Sequence, residues 1–308
     1  MTPHDTVDSL GTFLQASRAR ITPEEAGLTL YGARRRVSGL RREELAMLAG
    51  VSSSYYTRLE QGQSLNASPQ VLDAIASALR LNGAEREHLH RLAERSGRPV
   101  AAKRPKAERP DPRMLELLQS LGDVPALVLG RRTDVLAWNP LGHALLAGHL
   151  PEDAPDSPST RPNMAALVFT DADTRALYAD WRAKARAVVG NLRLTAGRHA
   201  DDALLASLIG SLSMASDTFG SLWGDQRVQA CATAVYALHH PLVGALDVTQ
   251  QTLRSIDTPD QTLITHTSPV GSSSSEALAL LAQIVGDRRR TDAADRQRMP
   301  RDGHAASR

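Results

Sequence analysis

The sequence predicts a two-domain chain, an all-α domain followed by an α/β domain. Three observations lead there. Residues 1–96 show only helical periodicity, residues 113–286 mix short apolar runs with helical stripes, and between them Gly97–Pro112, GRPVAAKRPKAERPDP, holds four prolines and almost no large apolar side chain. A chain of 308 residues is long enough for about two cores. The last stretch, Asp287–Arg308, lacks periodicity and is expected to be disordered, its Arg288–Arg290 run being either solvated or a phosphate contact.

Composition narrows the function. Apolar residues make up 42% and charged residues 23%, which fits a globular protein. No run reaches the roughly 18 apolar residues of a membrane span, and MTPHDTVDSL lacks the basic and apolar regions of a signal peptide, so the expected location is cytoplasmic. Cys231 is the one cysteine, so neither an internal disulfide nor a cysteine-based zinc site can form. Charge is unevenly spread: residues 1–113 carry 18 basic and 13 acidic side chains, residues 114–285 carry 11 and 17, and the tail carries 7 and 4. A basic first module beside an acidic second one points the first toward nucleic acid.

In the first module Leu10, Phe13, Leu14 and Ser17 share one face of a first helix. A second, Arg42–Ala49, turns Leu45, Ala46, Leu48 and Ala49 inward, and Gly50 suits a left-handed turn. Ser52 or Ser53 caps a third helix that ends at Gln61-Gly62. Ser68-Pro69 opens a fourth with Val71, Leu72, Ile75, Ala76 and Leu79 as its stripe, and a fifth, Ala84–Ser96, buries Leu89 and Leu92.

The second and third helices have helix-turn-helix spacing. Ala46 is small where the helices cross, while Val51, Tyr56 and Leu59 lock the third helix down. Ser53, Ser54, Tyr55 and Arg58 are then left on the outer face, where Arg58 can donate two bonds to guanine. Residues 10–95, above all GLRREELAMLAGVSSSYYTRLEQG (Gly39–Gly62), resemble the lambda-repressor-like XRE family and more closely its actinobacterial MmyB-like regulators. The resemblance implies that Arg42, Ser53, Ser54 and Arg58 meet double-stranded DNA, and that Arg18 and Glu60 form a partly buried ion pair. About twenty residues separate the first two helices, and this insert holds Arg34, Arg35 and Arg36. The triplet is either a solvated loop or a phosphate or minor-groove contact.

The second module reads as two strands, several helices and three strands, the element order of a PAS-like sensor. The expected pieces are a helix over Met114–Leu121, strands Ala126–Leu129 and Val135–Trp138 around a hairpin, and a helix capped by Asn139-Pro140. Helices follow over Ala172–Leu192 (Leu177, Trp181, Ala185, Val188 and Leu192 inward), Asp201–Met214 and Asp217–Trp223. Strands Cys231–Leu238, Leu242–Thr249 and Thr262–Thr267 and a closing helix Ser275–Val285 complete it. The stretches Val124–Arg132, Val135–Pro140, Leu177–Trp181 and His240–Gly244 resemble the MmyB-like ligand-binding domain, which implies a cavity for a small, largely apolar effector. Trp138, Tyr178, Trp181, Met214, Phe219 and Trp223 are its candidate lining, with plain core packing as the alternative. His239-His240 on a strand point to opposite faces and suggest no metal. Gly271–Ser275 reads as a turn and helix cap, and no acid, base and nucleophile set converges, so no enzyme and no cofactor is expected. The expected protein is a homodimeric, ligand-modulated regulator acting on the bacterial nucleoid. The alternative is a regulator whose second module binds a protein partner.

Overall fold

In the computed structural model, residues 9–28, 38–63, 67–95, 108–226 and 233–298 are described. Along the chain these form α1 (Leu10–Arg20), α2 (Arg42–Leu48), α3 (Ser53–Glu60), α4 (Pro69–Ala78), α5 (Gly83–Arg95), α6 (Pro112–Ser120), β1 (Ala126–Leu129) and β2 (Val135–Trp138). Then come α7 (Pro140–Ala147), a 3-10 turn (Ala154–Asp156), α8 (Met164–Thr170), α9 (Ala172–Leu177), α10 (Trp181–Arg198), α11 (Ala203–Ala215) and α12 (Asp217–Gly224). β3 (Thr233–His240), β4 (Gly244–Arg254), β5 (Thr262–Thr267) and α13 (Ser273–Arg298) close the chain. The expected elements at residues 29–37 and 97–107, Cys231 and the last ten residues lie outside the described residues. No described helix is long and apolar enough to cross a membrane.

Contacts divide the chain into two compact units, each built from two separate stretches of sequence. The first joins residues 1–107 to 182–231, and the second joins 108–181 to 232–308. In the first, the five N-terminal helices bury Phe13, Leu14, Leu45, Tyr56, Leu59, Ile75 and Leu89 around one core. That core also includes Leu194 of α10. Local signals set the helix ends: Ser52 and Ser68 accept from the backbone N–H groups of Tyr55 and Val71, and Pro69 stands at the first helical turn of α4. Leu48 does not turn inward as expected. It is 37% exposed, beside the more exposed Met47, because α2 stops there and only Leu45, Ala46 and Ala49 reach the core.

The second unit holds a five-stranded sheet in the order β2-β1-β5-β4-β3, every neighbouring pair antiparallel. The hairpin between β1 and β2 closes through Gly130 N–H to Asp134 O at 2.9 Å, with Thr133 in the left-handed region. On β3, Tyr236, Leu238 and His240 are buried while Val235, Ala237 and His239 are exposed; β4 buries Leu246, Val248 and Gln250. This period of two marks a sheet with one covered and one open face there. The register puts Ala126, Val128 and Leu263 on the other face, where Met114 and Leu118 of α6 cover them.

Three further differences from expectation have physical causes. The helix expected over Ala172–Leu192 is broken, because Tyr178 pairs with Leu238 and Ala179 N–H donates to Ala237 O, which demands extended backbone. Past the break, Val189 rather than Val188 joins Ala185 and Leu192 in the buried stripe. The chain from Asp287, expected to be irregular, continues α13 to Arg298: it meets no Gly or Pro before Pro300, and Asp287 pairs with Arg290 one turn on.

Candidate functional site

Two regions carry the candidate residues. In the first unit, Gly50 takes φ +67 and lets the chain reverse between α2 and α3. Val51 N–H then returns to Ala46 O at 3.0 Å. Tyr56 and Leu59 are fully buried and Val51 half-buried, which fixes α3 by its inner side. Ser53, Ser54 and Arg58 are exposed and Tyr55 half-buried on the outer side. Arg58 has no hydrogen-bond or ion-pair partner among the described residues, so its guanidinium is available. Arg34, Arg35 and Arg36 lie outside the described residues.

Behind α3, Glu60 holds a two-arginine cluster. Arg18 reaches it with Nε at 3.0 Å and Nη2 at 3.1 Å, and sends Nη1 to Leu40 O at 2.6 Å. Arg42, expected at the DNA, donates to the same carboxylate at 2.9 Å, leaving its side chain 44% exposed. Burial pushes the Glu60 carboxyl up, but the two guanidinium groups outweigh it and hold it below the usual value. Burial and the adjacent Glu60 charge push the Tyr56 phenol well above its ordinary value, so it stays neutral.

The six aromatic and methionine candidates do not gather around one cavity. In the second unit, Trp138 is half-buried with Nε1 on Glu152 O at 2.7 Å, and its ring lies against His143. Tyr178 is buried edge-on to Tyr236. Trp181 is buried with Nε1 on Val168 O at 2.6 Å and Arg175 over its ring. Phe219 and Trp223 stack on each other inside the first unit, under the buried Arg193 guanidinium. Met214 is 91% exposed.

The second unit instead opens a cleft of about 510 Å³ among α7, α9, the β3–β4 turn and α13, and none of those six residues lines it. Its wall includes His143, His149, His239 and His240 beside Leu146, Leu177 and Leu242. His240 donates Nε2–H to Ala144 O at 2.9 Å and accepts Leu242 N–H on Nδ1 at 3.2 Å, so it is a neutral imidazole, and burial lowers its pKa. His143 donates to Leu150 O at 2.8 Å, and His149 meets Asp171 at 3.2 Å, whose oxygen also caps α9. Sequence reading missed His143 and His149 because they come from α7 and the turn after it, far along the chain from β3. Only the His239-His240 pair was visible. Trp138 lines a neighbouring cleft of about 530 Å³ with Leu115, Leu118 and Leu141.

Comparison with known families gives two matches. Residues 110–281 match the MmyB-like transcription regulator ligand binding domain, and residues 9–89 match a helix-turn-helix domain. No curated protein matches the chain significantly. Since the first match alone covers more than half of its residues, the chain belongs to the MmyB-like transcription regulators, with a helix-turn-helix domain ahead of the ligand-binding domain.

Proposed function

We propose that this regulator binds a specific operator in double-stranded DNA as a homodimer, with the N-terminal half of α3 in the major groove. A small, largely apolar molecule in the second unit adjusts that binding. The carrying observation is Arg58, exposed and without a partner among the described residues, on the outer side of a helix whose inner side is fixed by Tyr56, Leu59 and the Gly50 turn. Ser53, Ser54 and Tyr55 stand beside it and reach base edges, while Arg34, Arg35 and Arg36 supply phosphate contacts. Arg42, tied to Glu60, reaches a phosphate with the exposed part of its guanidinium. For the effector, the supporting observation is the 510 Å³ cleft, within the roughly 300–1,000 Å³ of small-molecule sites. The protein acts in the cytoplasm on the nucleoid.

Selection of binding sites from a random duplex pool by the full chain tests the reading. Enrichment of a two-fold-related sequence, lost in Arg58→Ala, is the expected result. A pool without enrichment would overturn operator recognition. Native mass spectrometry of the purified protein, expected to show a co-purifying small molecule that dissociates on denaturation, tests the effector separately.

A further inference from the structure

At the rim of the 510 Å³ cleft, a ring nitrogen of His149 and carboxylate oxygens of Asp171 and Asp173 lie within 4.8 Å of one another. His149 stands in the turn after α7, and the two aspartates stand at the start of α9. Part of this set has an ordinary explanation. One oxygen of Asp171, Oδ1, accepts Thr174 N–H at 2.7 Å as the cap of α9, and His149 Nε2 stands 3.2 Å from the same oxygen. The second oxygen of Asp171 and the whole carboxylate of Asp173 are left over. Two carboxylates this close repel each other, and among the described residues no arginine or lysine bridges either one.

A second observation comes from Thr174. It is 1% exposed, and its hydroxyl lies beside the Asp171 carboxylate without forming a hydrogen bond of normal geometry among the described residues. A buried hydroxyl in that position is ordinarily satisfied by a bound water or ion. We infer that His149, Asp171 and Asp173 form a binding site for one divalent first-row transition ion of the Zn²⁺ type.

The donor set selects the class of ion. Mg²⁺ and Ca²⁺ take oxygen ligands, whereas an imidazole nitrogen with carboxylates suits the first-row transition ions. Ligand atoms at about 2.0–2.2 Å from one ion stand about 3–4 Å apart, so side-chain rotations of about an ångström close the site. Three protein ligands leave a further coordination position. His149 and Asp173 both line the cleft, so that position is open to water or to a donor atom of a molecule lying there. The ion would also tie the turn after α7 to the start of α9, two elements of the cleft wall. Its binding is read without DNA or effector, so this site and operator recognition can fail separately.

Isothermal titration of the untagged full chain with Zn²⁺, after treatment with a chelator, is the test. The variants are Asp173→Asn and His149→Gln, both at exposed positions that do not cap α9, with His239→Gln as a control elsewhere on the cleft wall. Unchanged melting temperatures of the metal-free proteins confirm folded variants. The expected result is one ion per chain with a dissociation constant in the micromolar range or tighter, weakened about tenfold or more by Asp173→Asn and by His149→Gln and unchanged by His239→Gln. No site tighter than about 100 µM would overturn the inference. So would Asp173→Asn and His149→Gln proteins that bind as the wild type does, which means an adventitious ion only, or a control that loses as much affinity as they do.

Discussion

The ring of His88 on α5 lies against Gly197 on α10, so closely that a Cβ at residue 197 would stand 2.6 Å from its Cε1 and Nδ1. His88 is fully buried and meets Phe13 of α1 edge-on at 5.1 Å. Nearby, Arg20 pairs with Glu85 at 2.9 Å and donates to Asp225 O at 3.2 Å. Helices α10–α12, matched with the ligand-binding domain, therefore complete the packing of the helix-turn-helix unit.

Gly197→Ala tests this closure with a sign reversal. Helix propensity alone favours alanine by about 1 kcal/mol. Forcing a methyl into the fully buried His88 ring costs about 1–3 kcal/mol, the range for overpacking a close-packed interior. The expected outcome in urea unfolding of the full chain is a net loss of stability. A gain would show that the ring moves aside.

Glu60 offers a second test. Its side chain is 2% exposed and Arg18 is 13% exposed, so Glu60→Ala leaves a largely buried cation without its carboxylate, held only by Leu40 O. Breaking such a pair costs about 3–5 kcal/mol, reduced here because Arg42 can turn to solvent. The pH dependence has a definite sign. The folded carboxyl titrates below its ordinary value of 4.5, so the unfolded chain binds the proton more readily. The stabilisation is fully present above about 4.5 and disappears as pH falls through the lowered folded value. Glu60→Gln should flatten that acid limb in urea midpoints measured between pH 6 and pH 3. An unchanged limb would place the acid sensitivity elsewhere.

Asn139 is the equivalent point in the second unit. Its Oδ1 accepts from Ala126 N–H at 3.0 Å and Gly142 N–H at 2.7 Å, and its Nδ2 donates to Val124 O at 2.7 Å. One amide therefore caps α7 and ties it to the start of β1. Asn139→Ala removes a cap, worth about 0.5–2 kcal/mol, and strands buried backbone groups at about 1–3 kcal/mol each. A loss of about 3 kcal/mol or more is expected, followed by the fluorescence of the adjacent Trp138. A loss near 1 kcal/mol would mean that water replaces the side chain.

How much of this was legible follows from how local each signal is. Gly50, Ser52 and Ser68-Pro69 act within one turn of chain, and the helices they delimit fall where the sequence puts them. β5 and the β1–β2 hairpin also do. The break at Tyr178 depends on a strand sixty residues away, so helical periodicity ran straight through it. α8, capped by Asn163, was hidden behind a Pro- and Ser-rich stretch. Trp223 and Phe219 read as possible cavity lining because aromatic residues fill cores and sites alike. Gly197 gives no hint in sequence of the His88 ring that requires it.

The last prediction separates base reading from phosphate contact. Arg58 is exposed and has no partner among the described residues, so Arg58→Ala should leave the fold intact. Removing a bidentate base contact weakens specific binding by about 1–3 kcal/mol and changes binding to random duplexes much less. Replacing Arg34, Arg35 and Arg36 by alanine should act the other way: both affinities fall together, and the slope of log affinity against log salt drops by roughly 0.9 for each phosphate that is no longer neutralised. Arg42→Ala combines a small loss of affinity with a loss of stability, because its guanidinium also holds Glu60. Fluorescence anisotropy on the selected site and on a scrambled duplex, at several salt concentrations, reads all of these. Equal losses on both duplexes for Arg58→Ala would reduce it to a phosphate contact. An unchanged salt slope for the triple variant would return that loop to plain solvation.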